Sequence, residues 1–283
     1  MRRRHRFPLM FPVVVMALAA GAGPVAAADP AERPLNHQEE RAAARRIAEA
    51  ERYLQQADAA LGLAAVSCPV PTSAGASITP NGCTPPPSGS LAVEARDQTK
   101  GIYCGPATGQ VIANYSWAMG AGQNKYSQAQ IAVWMNTDVN GGTDAFNLER
   151  GLERATAGAP RRPANWDWVV INLLDRNGNG RVGDELHGYI RSNVTGSRMP
   201  LAIPVKPHDP KSGFHLSSWP NPVVSIGHWI PLYGWIGLYD GTDSARARYT
   251  DSSRDEGGST GKFVDPTRHL AILIMEHTRR LVW

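Results

Sequence analysis

The sequence predicts an α+β fold, with helices first and antiparallel strands afterwards. Helical patterns run from Gln38 to Leu61 and, after a Pro-rich linker, recur in separate segments from Cys104 to Asn193. From Pro200 onward apolar residues fall in short runs broken by Gly, Asp and Ser, as strands and hairpins require. No internal repeat interrupts this order, so segregated helices and strands, rather than alternating βαβ units, follow. The chain has 283 residues, 42% hydrophobic and 19% charged, enough to bury a core without metals or many disulfides. Its 28 Gly and 22 Pro mark it as rich in loops.

The amino terminus reads as a secretory signal peptide. Residues 2–6 are RRRHR, an apolar stretch runs from Phe7 to Ala20, and small residues lead to Ala26 and Ala28, fitting cleavage before Asp29. A membrane anchor needs about 20 apolar residues, whereas Gly21, Gly23 and Pro24 break this run early. A secreted, extracellular protein with no membrane attachment after cleavage is the expectation. The formal charge of +4 comes from the four Arg at positions 2, 3, 4 and 6; without them Lys+Arg and Asp+Glu are equal at 25 each. A chain so balanced lacks the positive field a phosphate backbone demands, so nucleic acid is not an expected partner.

Gln38 to Leu61 carries Ile47, Ala50, Leu54, Ala57 and Leu61 on one stripe, predicting a long amphipathic helix ended by Gly62. The helix segment, 29–65, is read either as packed on its own domain or as a pro-segment or partner-binding stalk. Residues 66–90, with Pro85, Pro86 and Pro87, read as a linker. Cys68 and Cys83 bracket its Pro/Ser/Gly loop; a disulfide there closes about 16 residues and contributes roughly 3 kcal/mol. Cys104 is then the unpaired thiol.

Residues 91–283 form the expected main domain. A helix follows Cys104, with Ala107, Val111, Ile112 and Tyr115 on its apolar face. Ser127 and Gln130 make a capping-box pattern before Ile131, Val133 and Trp134. Further helices are expected over Asp144 to Ala155, Trp166 to Leu174 and Asp184 to Asn193. Strands are expected over Pro200 to Val205, Val223 to Leu238, Ala245 to Thr250 and Leu270 to Glu276.

Chemistry gathers at a few residues. Cys104 begins a helix, where unpaired N–H groups and the macrodipole favour negative charge and so thiolate over thiol. A small buried hydrophobe is the plain alternative. Gly105 leaves room for a substrate backbone, and Pro106 suits a first helical turn. Gln98, six residues earlier, offers an amide N–H that could join the Cys104 N–H in receiving an oxyanion, a donor typically worth about 3 kcal/mol of barrier. Seven histidines follow Ala28, and His228 stands out inside the apolar run NPVVSIGHWIPLYGWIG. Trp229 beside it could keep water from the ring; a core histidine bonded to a carbonyl is the alternative. His208 and His215 lie in a Pro/Gly/Ser loop and read as surface residues. Asp251 ends the strand after the Asp240–Gly241 turn, where its carboxylate could accept the imidazole N–H and fix its tautomer; a turn-forming Asp is the other reading.

Gln98, YCGPA around Cys104, GHWIPLYGW around His228 and YTDSS around Asp251 together resemble the papain-like cysteine peptidase superfamily, closest to secreted relatives of the bacteriocin-processing, double-glycine peptidases. The resemblance runs from Gln98 to the hairpin after Asp251. It implies a papain-like fold in which a helical part carrying Cys104 packs on an antiparallel sheet carrying His228 and Asp251. It also implies a Cys-His-Asp peptidase or amidohydrolase acting on peptide or protein substrates, cell-wall peptides among them, with Gln98 in the oxyanion hole. An acyl or γ-glutamyl transferase on the same triad and a non-catalytic extracellular binding module are the competing readings.

This chemistry requires no cofactor. One loop, DRNGNGRVGDE, nevertheless matches the start of an EF-hand calcium loop, with Asp175, Asn177 and Asn179 at positions 1, 3 and 5, Gly180 at 6 and the Arg181 carbonyl at 7. Position 12 is Leu186, so Glu185 would have to shift into reach. Neutral Asn at two positions makes any calcium site weak, and a solvated turn capping the next helix is the alternative.

Overall fold

The computed structural model describes residues 33–60, 87–175, 181–220, 226–253 and 257–283. The signal-peptide reading and the Cys68–Cys83 pairing lie outside these residues. The fold is α+β. Helices α1 (His37–Ala60), α2 (Cys104–Ser116), α3 (Gln128–Trp134), α4 (Ala145–Thr156), α5 (Val182–Arg191) and α6 (Thr267–Met275) pack around one antiparallel sheet. Its strands are β1 (Ser88–Ser90), β2 (Val170–Asn172), β3 (Leu201–Val205), β4 (His228–Ile236), β5 (Arg246–Asp251), β6 (Gly261–Pro266) and β7 (Arg280–Val282). The spatial order is β2-β7-β3-β4-β5-β6, and β1 pairs with the far end of β4 beyond β3.

Strand β4 is the centre of this arrangement. Its first half pairs with β3, from Leu201↔Leu232 to Val205↔His228, and its second half pairs with β1. Its other side pairs with β5, where the register shifts between Leu232 and Gly234. Both sides of the strand therefore make ladder hydrogen bonds, and eight of its nine residues are buried. Because β4 and β5 run antiparallel with Leu232 opposite Tyr249, the start of β4 and the end of β5 meet at one edge of the sheet. That geometry brings His228 to Asp251.

Helix α2 is buried along all thirteen residues. A helix buried all round has no polar face to give to water, yet this one carries Thr108, Gln110, Asn114 and Ser116. Each is satisfied internally. Thr108 Oγ1 donates to Trp229 O at 2.9 Å, Gln110 Nε2 to Tyr126 O at 2.7 Å, Asn114 Nδ2 to Asn124 Oδ1 at 2.9 Å, and Ser116 Oγ to Ile112 O at 2.8 Å. These bonds offset the cost of burying polar groups and fix the rotation of the helix about its axis. Close packing completes the restraint: a Cβ on Gly109 would fall 2.5 Å from Met135 Cε.

Several elements differ from the sequence reading. Trp166–Leu174 is extended and contains β2 rather than a helix; its run of Trp168, Val169, Val170 and Ile171 is aromatic and β-branched, and Val169 exchanges backbone hydrogen bonds with Trp283. Leu270–Glu276 is the last part of α6 and its C-cap rather than a strand, because Leu270, Ala271, Leu273 and Ile274 are all buried and share one helical face. Residues 88–90, read as linker, are a sheet strand. Strands β6 and β7 were not anticipated. The capping box at Ser127 forms as read, and Asp144 caps α4 by accepting from Asn147 N at 2.8 Å.

Helix α1 packs on α5, on the π-turn Ser192–Ser197 that extends it, and on β2. Ala43, Ile47 and Ala50 are buried there, Arg191 Nη2 pairs with Asp58 Oδ1 at 2.6 Å, and the Arg46 guanidinium lies 3.8 Å from the Trp166 ring centroid. No helix among the described residues is long and apolar enough to cross a membrane.

Candidate active site

Cys104 is the first residue of α2 and is buried, at 9% exposure, against the hydrophobic core. Tyr103 precedes it without a side-chain cap, leaving the first turn's N–H groups without help from that residue. Gly105 follows, but not to admit a substrate backbone. A Cβ at this position would fall 2.6 Å from Thr143 Oγ1 and 2.7 Å from Thr143 Cβ, so the space is filled by Thr143. Thr143 is held in turn by Thr137, at 2.8 Å between hydroxyls, and its carbonyl accepts from Trp229 Nε1 at 2.7 Å. The glycine lets the loop before α4 press against the first turn of α2.

His228 and Asp251 are both buried, at 2% and 1% exposure. His228 Nε2 donates to Asp251 Oδ1 at 2.8 Å. The Cys104 side chain faces the same imidazole closely enough to help hold it charged. With Nε2 spent on Asp251, Nδ1 is the nitrogen left for the sulfur. Burial disfavours the charged ring, yet the charge and hydrogen bond of Asp251, with the Cys104 contact, outweigh it and raise the His228 pKa to about 10. Burial alone would likewise raise Asp251, but the facing imidazolium and its hydrogen bonds hold this carboxyl below its usual range.

Asp251 accepts four hydrogen bonds, two on each oxygen. Oδ1 takes His228 Nε2 and Ser253 N at 2.8 Å each. Oδ2 takes Ser218 Oγ at 2.6 Å and Trp219 Nε1 at 2.9 Å. A carboxylate so fully satisfied is fixed in position and stabilised as the anion. The Trp219 ring also stands edge-on to the imidazole, with centroids 5.4 Å apart. The tryptophan screening His228 is therefore Trp219 and not Trp229, since successive side chains on a strand diverge. Ser218 and Trp219 escaped the sequence reading, which placed His208 and His215 of the preceding Pro/Gly/Ser loop at the surface and assigned no role to the residues after them. The only hint was a large aromatic stranded among Pro, Gly and Ser.

Gln98 is buried and tied to the same end of the sheet. Its backbone N donates to Ser252 O at 2.9 Å, and its Oε1 accepts from Ser252 Oγ at 3.4 Å. One N–H of Nε2 donates to Gly101 O at 3.0 Å, and the amide carries a second. Among the other histidines, His215 is exposed and His208 half-buried, joined by an isolated bridge. His187 is a satisfied core residue bonded to Gly237 O at 3.0 Å and Thr267 Oγ1 at 3.3 Å; burial pushes its pKa down to about 4.

The calcium reading falls largely outside the described residues, which omit Asn177 and Asn179. Asp175 follows β2 and Arg181 precedes α5. Glu185 Oε2 accepts from Leu174 N at 3.1 Å and Oε1 from Tyr189 Oη at 2.9 Å, so this carboxylate ties the strand end to the helix. Among the described residues, no group of three or more His, Cys, Asp or Glu side chains is placed to hold a metal ion.

No protein-family model matches this chain, and no curated protein matches it either.

Proposed function

We propose that this protein is an exported cysteine hydrolase of papain-like architecture, cleaving peptide or related amide bonds with Cys104 as nucleophile. The observation that carries the reading is one buried imidazole, His228, hydrogen-bonded to a fully satisfied carboxylate and influenced by a thiol at a helix start. An imidazolium beside sulfur favours thiolate, and the α2 amino terminus adds to that preference. The thiolate attacks the acyl carbon and forms a C–S bond while the carbonyl electrons move to oxygen. Collapse of that intermediate expels the amine, which takes its proton from His228. Water then attacks the thioester, losing a proton to His228, and the C–S bond breaks to release the acid and return the thiolate–imidazolium pair. Gln98 and the Cys104 N–H are the proposed oxyanion donors. The first 28 residues supply the basis for export, and the YCGPA segment the basis for the resemblance to double-glycine peptidases.

The test is turnover of a peptide library read by mass spectrometry, with and without an added amine. Wild-type protein should produce free acids, and Cys104→Ala should lose activity by at least about a thousandfold. Retained turnover in the Cys104→Ala protein removes the proposal. Amide products formed only with the amine would identify a transferase instead.

A further inference from the structure

A second buried carboxylate, Asp265 on β6, is joined to Asp251 through two side chains, Tyr249 and Ser218, that the proposed chemistry does not use. Asp265 Oδ2 accepts Ser217 N at 2.9 Å and Tyr249 Oη at 2.7 Å, and Oδ1 accepts the Ser217 hydroxyl. The Tyr249 proton is thus committed to Asp265, leaving its oxygen to accept Ser218 N at 3.3 Å. Ser218 Oγ lies 3.2 Å from that oxygen and gives its own proton to Asp251 Oδ2. Two carboxylates on adjacent strands therefore grip one three-residue segment, Ser217–Trp219, from either end. The far side of Trp219 is pressed by Gly258, where a Cβ would fall 2.6 Å from the indole.

We propose that Asp265 and Tyr249 are positioning residues: they strap Ser217–Trp219 over β5, holding Trp219 and Ser218 on Asp251 and keeping water from the Asp251–His228 hydrogen bond. The inference rests on the reading of Cys104, His228 and Asp251 as the reacting centre. Among the described residues, the titratable groups facing His228 are Asp251 from β5 and Cys104 from α2, with Trp219 closing one side. Water admitted beside Asp251 weakens its Coulombic hold on the ring, because the same charges interact far less at high dielectric.

The experiment follows the His228 ring resonances by NMR titration in the full chain. Tyr249→Phe and Asp265→Asn should each lower the His228 midpoint by about one pH unit. Ser217→Ala removes one hydroxyl donor from Asp265 while leaving the backbone bond, and should shift the midpoint in the same direction. A purely structural role would lower the melting temperature and leave the midpoint alone. An unchanged midpoint in any of the three with wild-type circular dichroism overturns the strap. A separate control isolates the underlying reading: wild-type Cys104 alkylated by iodoacetamide no faster than free cysteine at pH 6 sinks the hydrolase proposal and this inference with it. Fast alkylation with unmoved midpoints sinks the strap alone.

Discussion

At the scale of single residues, Asp251 is the most constrained group in the site. Replacing it with Asn would set an amide NH₂ against donors that now all point at a carboxylate, leaving at least one buried N–H or O–H unpaired. The expected cost is about 1 to 3 kcal/mol of stability, measured by denaturant unfolding. A fall in turnover of about a hundredfold or more should accompany it, because the imidazole loses its counter-charge. The two buried histidines should make opposite contributions to pH stability. His228 has a folded pKa near 10, above the ordinary 6.5, so its contribution is complete below about pH 6.5 and is lost as pH rises through 10. His187, at about 4, contributes fully above pH 6.5 and loses about 3 kcal/mol as pH falls through that window. Chemical denaturation at pH 7 and pH 4 should show the acid loss, and His187→Gln should reduce it.

At the scale of elements, glycine and cap chemistry decide how the site is assembled. Gly105→Ala would drive a methyl into Thr143 and should destabilise by about 1 to 3 kcal/mol while displacing the first turn of α2. Ser127→Ala removes a capping box remote in sequence from the three site residues. It should cost about 1 kcal/mol in thermal or denaturant unfolding, with turnover per folded molecule unchanged. The capping box at Ser127, the α2 helix and the His-bearing strand were all legible, since each is announced by residues within a few positions of itself. Elements whose identity depends on distant partners were not. Trp166–Leu174 becomes extended because β7, more than a hundred residues later, pairs with it. The sheet-edge meeting of His228 with Asp251 could be read from two strands and a turn. The grip of Ser218 and Trp219 on Asp251 could not, because a lone tryptophan among Pro, Gly and Ser marks that loop as packed without saying what it packs on. Likewise Trp229 is adjacent to His228 in the chain, yet strand alternation sends its indole to Thr143.

At the scale of the whole molecule, the long amino-terminal helix is part of the packed body. Burial of Ile47 alone is worth about 1.5 to 3 kcal/mol, and the Arg191–Asp58 and Arg46–Trp166 contacts tie α1 to the body at two further points. Deleting residues 33–60 should therefore lower the melting temperature sharply and give no gain in turnover, whereas an inhibitory pro-segment would raise activity on removal. Helix α2 carries a different lesson. Surface helices accept change along one flank and resist it along the other, so a saturating mutagenesis map of α5, which has exposed and half-buried positions beside its buried ones, should show tolerance rising and falling with each turn. For α2 no such rhythm is expected: a continuous intolerant band from 104 to 116 should appear instead, leaving evolution to vary specificity only from the loops around it.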